Sequence, residues 1–73
     1  METGNWGQRI RAFRKLKGYT QERFAQAIGV SVSVLGEVER GTRTPNRQLI
    51  ERVVSVLNIS EDELLPQTEK EKN

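Results

Sequence analysis

The chemistry open to this chain is narrow, because its 73 residues include no histidine and no cysteine. That removes the commonest general base, the commonest neutral metal ligand and any thiolate or disulfide. What remains is charge and hydrogen bonding. The densest set of such groups is Gly41-Thr42-Arg43-Thr44-Pro45-Asn46-Arg47, where Arg43, Thr44, Asn46 and Arg47 crowd into one short segment. Guanidinium, hydroxyl and amide groups together suit phosphate oxygens. The wider charge pattern agrees. Residues 1–58 hold ten Lys/Arg against five Glu, and residues 59–73 hold two Lys against five acids. A basic body with an acidic tail fits a polyanionic partner, although 30% charged residues is ordinary for a small domain. No acid, Ser or Lys sits in a pattern of acid–base or nucleophilic catalysis. The sequence therefore reads as non-enzymatic, with no metal, cofactor or small-molecule substrate.

The elements that position these groups are helices. Ile10, Phe13 and Leu16 recur at three-residue spacing and predict a first helix over residues 6–17 with one apolar face, stopped by Gly18. Thr20 is a good N-cap for a second helix over residues 21–28, which Gly29 ends. Ser31 caps a third over residues 32–40, which Gly41 ends. Thr44-Pro45-Asn46 is a helix-start signal, with Thr44 or Asn46 as cap. The fourth helix runs to Leu57 and buries Leu49, Ile50, Val53 and Leu57. Ser60-Glu61-Asp62-Glu63 is a capping box that opens a short fifth helix carrying Leu64 and Leu65, closed by Pro66. Trp6 either caps the core between the first and fifth helices or is exposed at an interface, the former being favoured. The domain boundaries follow: a flexible N-terminus over residues 1–5, one domain over 6–65, and a disordered polar tail over 66–73. No apolar run approaches the roughly 20 residues that span a bilayer. The N-terminus lacks the apolar stretch of a signal peptide, so the expected location is cytoplasmic, away from membranes.

Within this all-α arrangement the window from Gln21 to Gly41 has a specific form. Counted from Gln21, the residues Phe24, Ala25, Ile28, Gly29, Val30, Leu35 and Val38 occupy the spacing of a helix-turn-helix. Ala25 lies where the second helix crosses the third, where a larger side chain would force them apart. Gly29 makes the turn. Any helical bundle shows apolar residues three and four apart. That alone does not account for Ala25, Gly29 and the Ser31 cap in these three places.

The chain resembles the Cro/C1-type repressor domains, the xenobiotic-response-element family of regulators. The matching pieces are Ile10-Arg11-x-x-Arg14, Gly18-Tyr19-Thr20-Gln21, Phe24-Ala25, Ile28-Gly29-Val30-Ser31, Val38-Glu39-Arg40-Gly41, Pro45, and Leu57-Asn58-Ile59-Ser60-x-x-Glu63-Leu64-Leu65. The likeness covers about residues 6–65. It implies a compact five-helix, lambda-repressor-like DNA-binding domain with helices two and three as the helix-turn-helix, acting as a homodimer on double-stranded DNA with two-fold symmetry.

The resemblance also implies roles. Gln21 bonds a phosphate and braces a side chain at the start of the recognition helix, and Thr20 beside it is a second phosphate candidate. Arg43, Thr44, Asn46 and Arg47 fall in a region that contacts the DNA backbone in relatives; Lys17 and Arg23 are outer candidates. Arg14 and Glu39 match a structural salt bridge between helices one and three. Helix three reads bases, and its matching positions are Val32, Ser33 and Glu37, with Val34 and Gly36 alongside. Relatives often carry Gln, Arg, Asn or Lys there, which bond base edges in pairs. Here valine can touch a thymine methyl, Ser33 can donate or accept, and Glu37 can accept from cytosine when a cation such as Arg40 or Arg43 neutralises it. Gly36 costs about 1 kcal/mol of helix propensity against alanine, and it lets the helix approach DNA closely.

The function expected is a sequence-specific DNA-binding transcriptional regulator. The alternative, of a different class, is a protein-interaction module on the same fold, coactivator or antitoxin-like. It would use the apolar surface of Val32 and Val34, together with Glu37, to bind a protein partner.

Overall fold

Each junction between helices is set by a residue that stops one helix and a side chain that starts the next. The computed structural model describes residues 5–64. It contains α1 (Asn5–Leu16), α2 (Gln21–Ile28), α3 (Val32–Arg40), α4 (Arg47–Leu57) and α5 (Glu61–Leu64), and no strand among the described residues. Residues 1–4, Leu65, Pro66 and the polar tail lie outside the described residues, so the expectations for them do too. Asn5, expected in the loose N-terminus, is the first residue of α1.

The caps explain why the elements fall where they do. Thr20 accepts from the Arg23 N–H, Ser31 from the Val34 N–H, and Asn46 from the Leu49 N–H. Asn46, rather than Thr44, is therefore the α4 cap. Gly29 and Gly41 close α2 and α3 at φ +79° and +86°, a left-handed backbone that a side chain would strain. Ser60 and Glu63 form the reciprocal capping box: each side chain accepts from the other's N–H, at 3.2 and 3.0 Å.

The core joins all five helices. Ile10 from α1, Phe24, Ala25 and Ile28 from α2, Leu35 and Val38 from α3, Ile50, Val53 and Leu57 from α4, and Leu64 from α5 are buried together. Trp6, Phe13 and Leu49 are half-buried against that cluster, so Trp6 packs on the core as favoured. Leu16 departs from expectation: it is 75% exposed. At roughly 100° per residue, two steps of three residues carry Leu16 about 120° around the helix from Ile10. The position four after Ile10 stays on the buried stripe, and Arg14 holds it.

Helices α1 and α3 approach each other closely. A Cβ added to Gly7 would lie 2.1 Å from the Val38 carbonyl oxygen and 2.7 Å from that of Glu39. The backbones therefore touch where α1 crosses the last turns of α3. Gly7→Ala should destabilise the fold by about 1–3 kcal/mol through overpacking, although alanine is the better helix former. Urea denaturation checks this, and an unchanged midpoint would refute the close packing at Gly7.

Candidate nucleic-acid interface

Helix α3 divides cleanly by angle. Leu35, Val38 and Glu39 form its buried stripe. Ser33 and Glu37 fall on the opposite side, roughly 160° from Leu35 at 100° per residue. Ser33 is exposed and Glu37 half-buried. Val32, at the first turn, is 39% exposed, whereas Val34 is half-buried. The apolar pair on which the protein-partner alternative rested is thus reduced to Val32.

Gly36 is buried and does not lie on the outward face. Its missing side chain makes room for Arg40, whose Nη1 would stand 3.2 Å from a Cβ there, with Gln21 Nε2 at 3.9 Å. Gly36 thus faces side chains of its own domain in this structure. Beside it opens a groove of about 940 Å³ between α1 and α3, lined among others by Arg11, Lys15, Gln21 and Arg40. The sequence pattern did not single out Arg11 and Lys15, because their juxtaposition with Arg40 depends on how the two helices cross.

The helices are locked by one carboxylate. Arg14 Nε donates to Glu39 Oε2 at 2.6 Å and Arg14 Nη2 to Glu39 Oε1 at 3.1 Å. The third guanidinium nitrogen, Nη1, donates to the Tyr19 carbonyl at 2.8 Å. Gln21 Nε2 donates to Glu39 Oε1 at 3.1 Å. The Arg14 and Glu39 side chains are only 8% and 4% exposed, and no buried side-chain polar atom among the described residues lacks a partner. The salt bridge is present as expected. Gln21, however, braces the last turn of α3 rather than its start.

The loop after α3 is folded back onto Glu37. The Glu37 carbonyl accepts from the N–H groups of Thr42 and Arg43 at 3.0 and 3.3 Å, and from the Thr42 hydroxyl at 3.2 Å. This places the Arg43 Nε 2.7 Å from Glu37 Oε1. Of the two cations suggested for Glu37, Arg43 is the partner. Arg47 is drawn the other way. Its Nη1 and Nη2 grip the Glu61 carboxylate, the latter at 2.9 Å, and its Nε reaches Glu51 at 3.4 Å. The hydrogen bond and charge of Glu61, with a smaller share from Glu51, raise the Arg47 pKa above its ordinary value. Thr44, Lys17 and Arg23 are exposed. The Asn46 side-chain oxygen is committed to its cap, as is that of Thr20. An unforeseen cation is Arg9: its Nε donates to the Leu64 carbonyl at 3.1 Å and its Nη2 to that of Glu63, holding α5 against α1.

A short helix–turn–helix with a capped, solvent-facing second helix, locked from behind and flanked by a basic loop, defines a domain of the DNA-recognition type. The helix-turn-helix family model matches residues 10–64, and the chain belongs to this family, of Cro/C1 type. It is 65% identical over 66 residues to the uncharacterized HTH-type transcriptional regulator YazB of Bacillus subtilis (strain 168), covering 90% of this chain and 96% of YazB. It is 43% identical over 60 residues to the HTH-type transcriptional regulator SinR of the same organism, and spans 54% of SinR's length. The crystal structure of SinR, the master regulator for biofilm formation, in complex with DNA superposes with a TM-score of 0.75, covering 81% of this chain and 98% of that one. The restriction-modification controller protein C.AhdI from Aeromonas hydrophila gives 0.81 at 36% identity, covering 86% and 96%. Among the described residues, no helix is long and apolar enough to cross a membrane.

The lock behind α3 has a measurable signature. Arg14→Met alone should cost about 3–5 kcal/mol, because it strands the buried Glu39 carboxylate. Adding Glu39→Leu should recover most of that loss, which a double-mutant cycle by chemical denaturation reads directly. A double variant no more stable than Arg14→Met would show that packing, not the stranded charge, sets the cost.

Proposed function

We propose that this protein is a sequence-specific DNA-binding transcriptional regulator that lays α3 in the major groove. The observation that carries this reading is the outward pair Ser33 and Glu37 on a helix held rigidly from behind by Arg14, Glu39 and Gln21. The SinR–DNA complex, at 43% identity, supports it. In this reading Val32, Ser33 and Glu37 meet base edges. Thr20 and Gln21 take a phosphate at the start of α2, where free N–H groups and the helix dipole favour an anion. Arg43 takes another, with Thr44 and the Asn46 amide nearby. Arg47 joins only by exchanging Glu61 for a phosphate, so it ranks below Arg43. Gly36 contributes indirectly by leaving room for the Arg40 side chain. The protein works by occupancy rather than catalysis.

One such domain meets few bases. Useful affinity needs a homodimer on two half-sites about one helical turn apart. In this reading the protein acts where its DNA is, in the cytoplasm. The protein-partner reading is the weaker one, since Val34 of its apolar pair on α3 is half-buried.

The roles separate in binding titrations at several salt concentrations. Arg43→Ala should weaken binding to duplexes of every sequence and reduce the slope of log Kd against log salt by about one, as loss of one phosphate contact does. Ser33→Ala should leave that slope unchanged and alter the ranking of duplexes. Retention of wild-type affinity, slope and ranking by both variants would overturn the assignment. Absence of any binding at low salt would overturn the regulator reading itself.

A further inference from the structure

A carboxylate on the DNA-facing side of a recognition helix is an awkward choice beside phosphates, and how Glu37 is held shows what it can do. Its backbone carbonyl gathers the N–H groups of Thr42 and Arg43 and the Thr42 hydroxyl, so the loop that carries Arg43 is pinned to the same residue. The side chains then meet through one bond, Arg43 Nε to Glu37 Oε1 at 2.7 Å. This contact uses the edge nitrogen of the guanidinium and leaves Nη1 and Nη2 for another anion. It also leaves Glu37 Oε2 outside that bond. Both side chains are partly exposed, at 51% for Arg43 and 38% for Glu37, so both remain accessible to a ligand.

We infer that Glu37 and Arg43 act as one reading unit: Glu37 Oε2 accepts the N4 amino proton of a cytosine in each half-site while the terminal nitrogens of Arg43 hold the adjacent phosphate. This rests on the DNA-regulator reading above and adds the base to it. The chemistry selects cytosine because an ionised carboxylate only accepts. Guanine presents two acceptors, N7 and O6, and thymine presents O4 and a methyl group. Adenine offers its N6 amino group, but beside the N7 acceptor, which faces the carboxylate's other lone pairs. The cytosine amino group stands beside a C–H. Arg43 removes the charge penalty that a lone Glu37 would suffer near the backbone, and its position makes the base contact and the phosphate contact mutually supporting. Purine acceptors and bare phosphates are repelled by the same carboxylate, so Glu37 lowers non-specific affinity while it sharpens preference.

The test is selection from random duplexes with the full chain, wild type and Glu37→Gln, read by sequencing and followed by titration of single-base variants of the enriched site. Glu37→Gln keeps the shape of an exposed side chain, and a thermal melt of each protein verifies equal folding. The wild type is expected to enrich a site with cytosine at one position per half-site, preferred by at least about fivefold over other bases, the usual scale of one mismatch. Glu37→Gln should lose that preference, to about twofold or less, or shift it to adenine, whose N6 and N7 a glutamine amide matches. It should also bind unselected duplex more tightly than the wild type. Arg43→Ala should weaken binding to the enriched site and erode the cytosine preference with it. An enriched site whose base preferences are identical for wild type and Glu37→Gln overturns the inference and leaves the regulator reading intact. Enrichment of no site by the wild type overturns both.

Discussion

The arrangement of this molecule depends on one buried carboxylate. Glu39 sits on the core-facing stripe of α3, and its two oxygens are claimed by Arg14 from α1 and Gln21 from α2. Arg14 spends its remaining donor on the carbonyl of Tyr19, in the turn between those helices. Three elements and one connection thus converge on a single planar group. A guanidinium–carboxylate fork tolerates little rotation, which apolar side chains in the same place would permit. Ion pairs of this kind add little stability over a well-packed apolar substitute. Their contribution is directional: the roll of α3 about its own axis is fixed, and with it the direction in which Ser33 and Glu37 point.

The outer electrostatics follow a different rule. The segment from Gly41 to Arg47 looks uniformly basic in one dimension, yet its two arginines have opposite allegiances. Arg43 is turned toward α3 and shares its charge with Glu37. Arg47 is turned toward α5 and shares its charge with Glu61. The acidic fifth helix is therefore part of the charge balance of the basic face, and the excess of cations in residues 1–58 is partly compensated in the folded molecule. Arg11, Lys15 and Arg40 lie apart from these two pairs, lining the α1–α3 groove.

Much of this was legible in the sequence because the decisive signals are local. A cap residue, a left-handed glycine and a capping box each act within four residues, and α2 and α3 fall on the expected residues because Thr20, Gly29, Ser31 and Gly41 bound them. The Arg14–Glu39 bridge was legible through the family pattern. What was not legible depends on angle or on distance along the chain. Leu16 follows a three-residue spacing that drifts off the helix face by its third member, so it was misread as core. The flank of Gly36 is covered by Arg40 and Gln21, which its place alongside the outward residues did not announce. The α5 partners of Arg9 and Arg47 lie outside the local windows of those residues, where no periodicity announces them.

The contact at Gly7 carries a consequence for how this chain can change over generations. Residue 7 sits at the start of α1, far along the chain from the bases it would never touch, yet it rests on the carbonyls of Val38 and Glu39. Any side chain there would displace the end of α3, and the carboxylate that sets the helix's roll would move with it. A substitution at this position would therefore shift the seat of α3 without touching its outward face. The backbone of one helix serves as the template against which the recognition helix is seated, and the freedom to vary is lost where the two backbones touch rather than only where DNA is read.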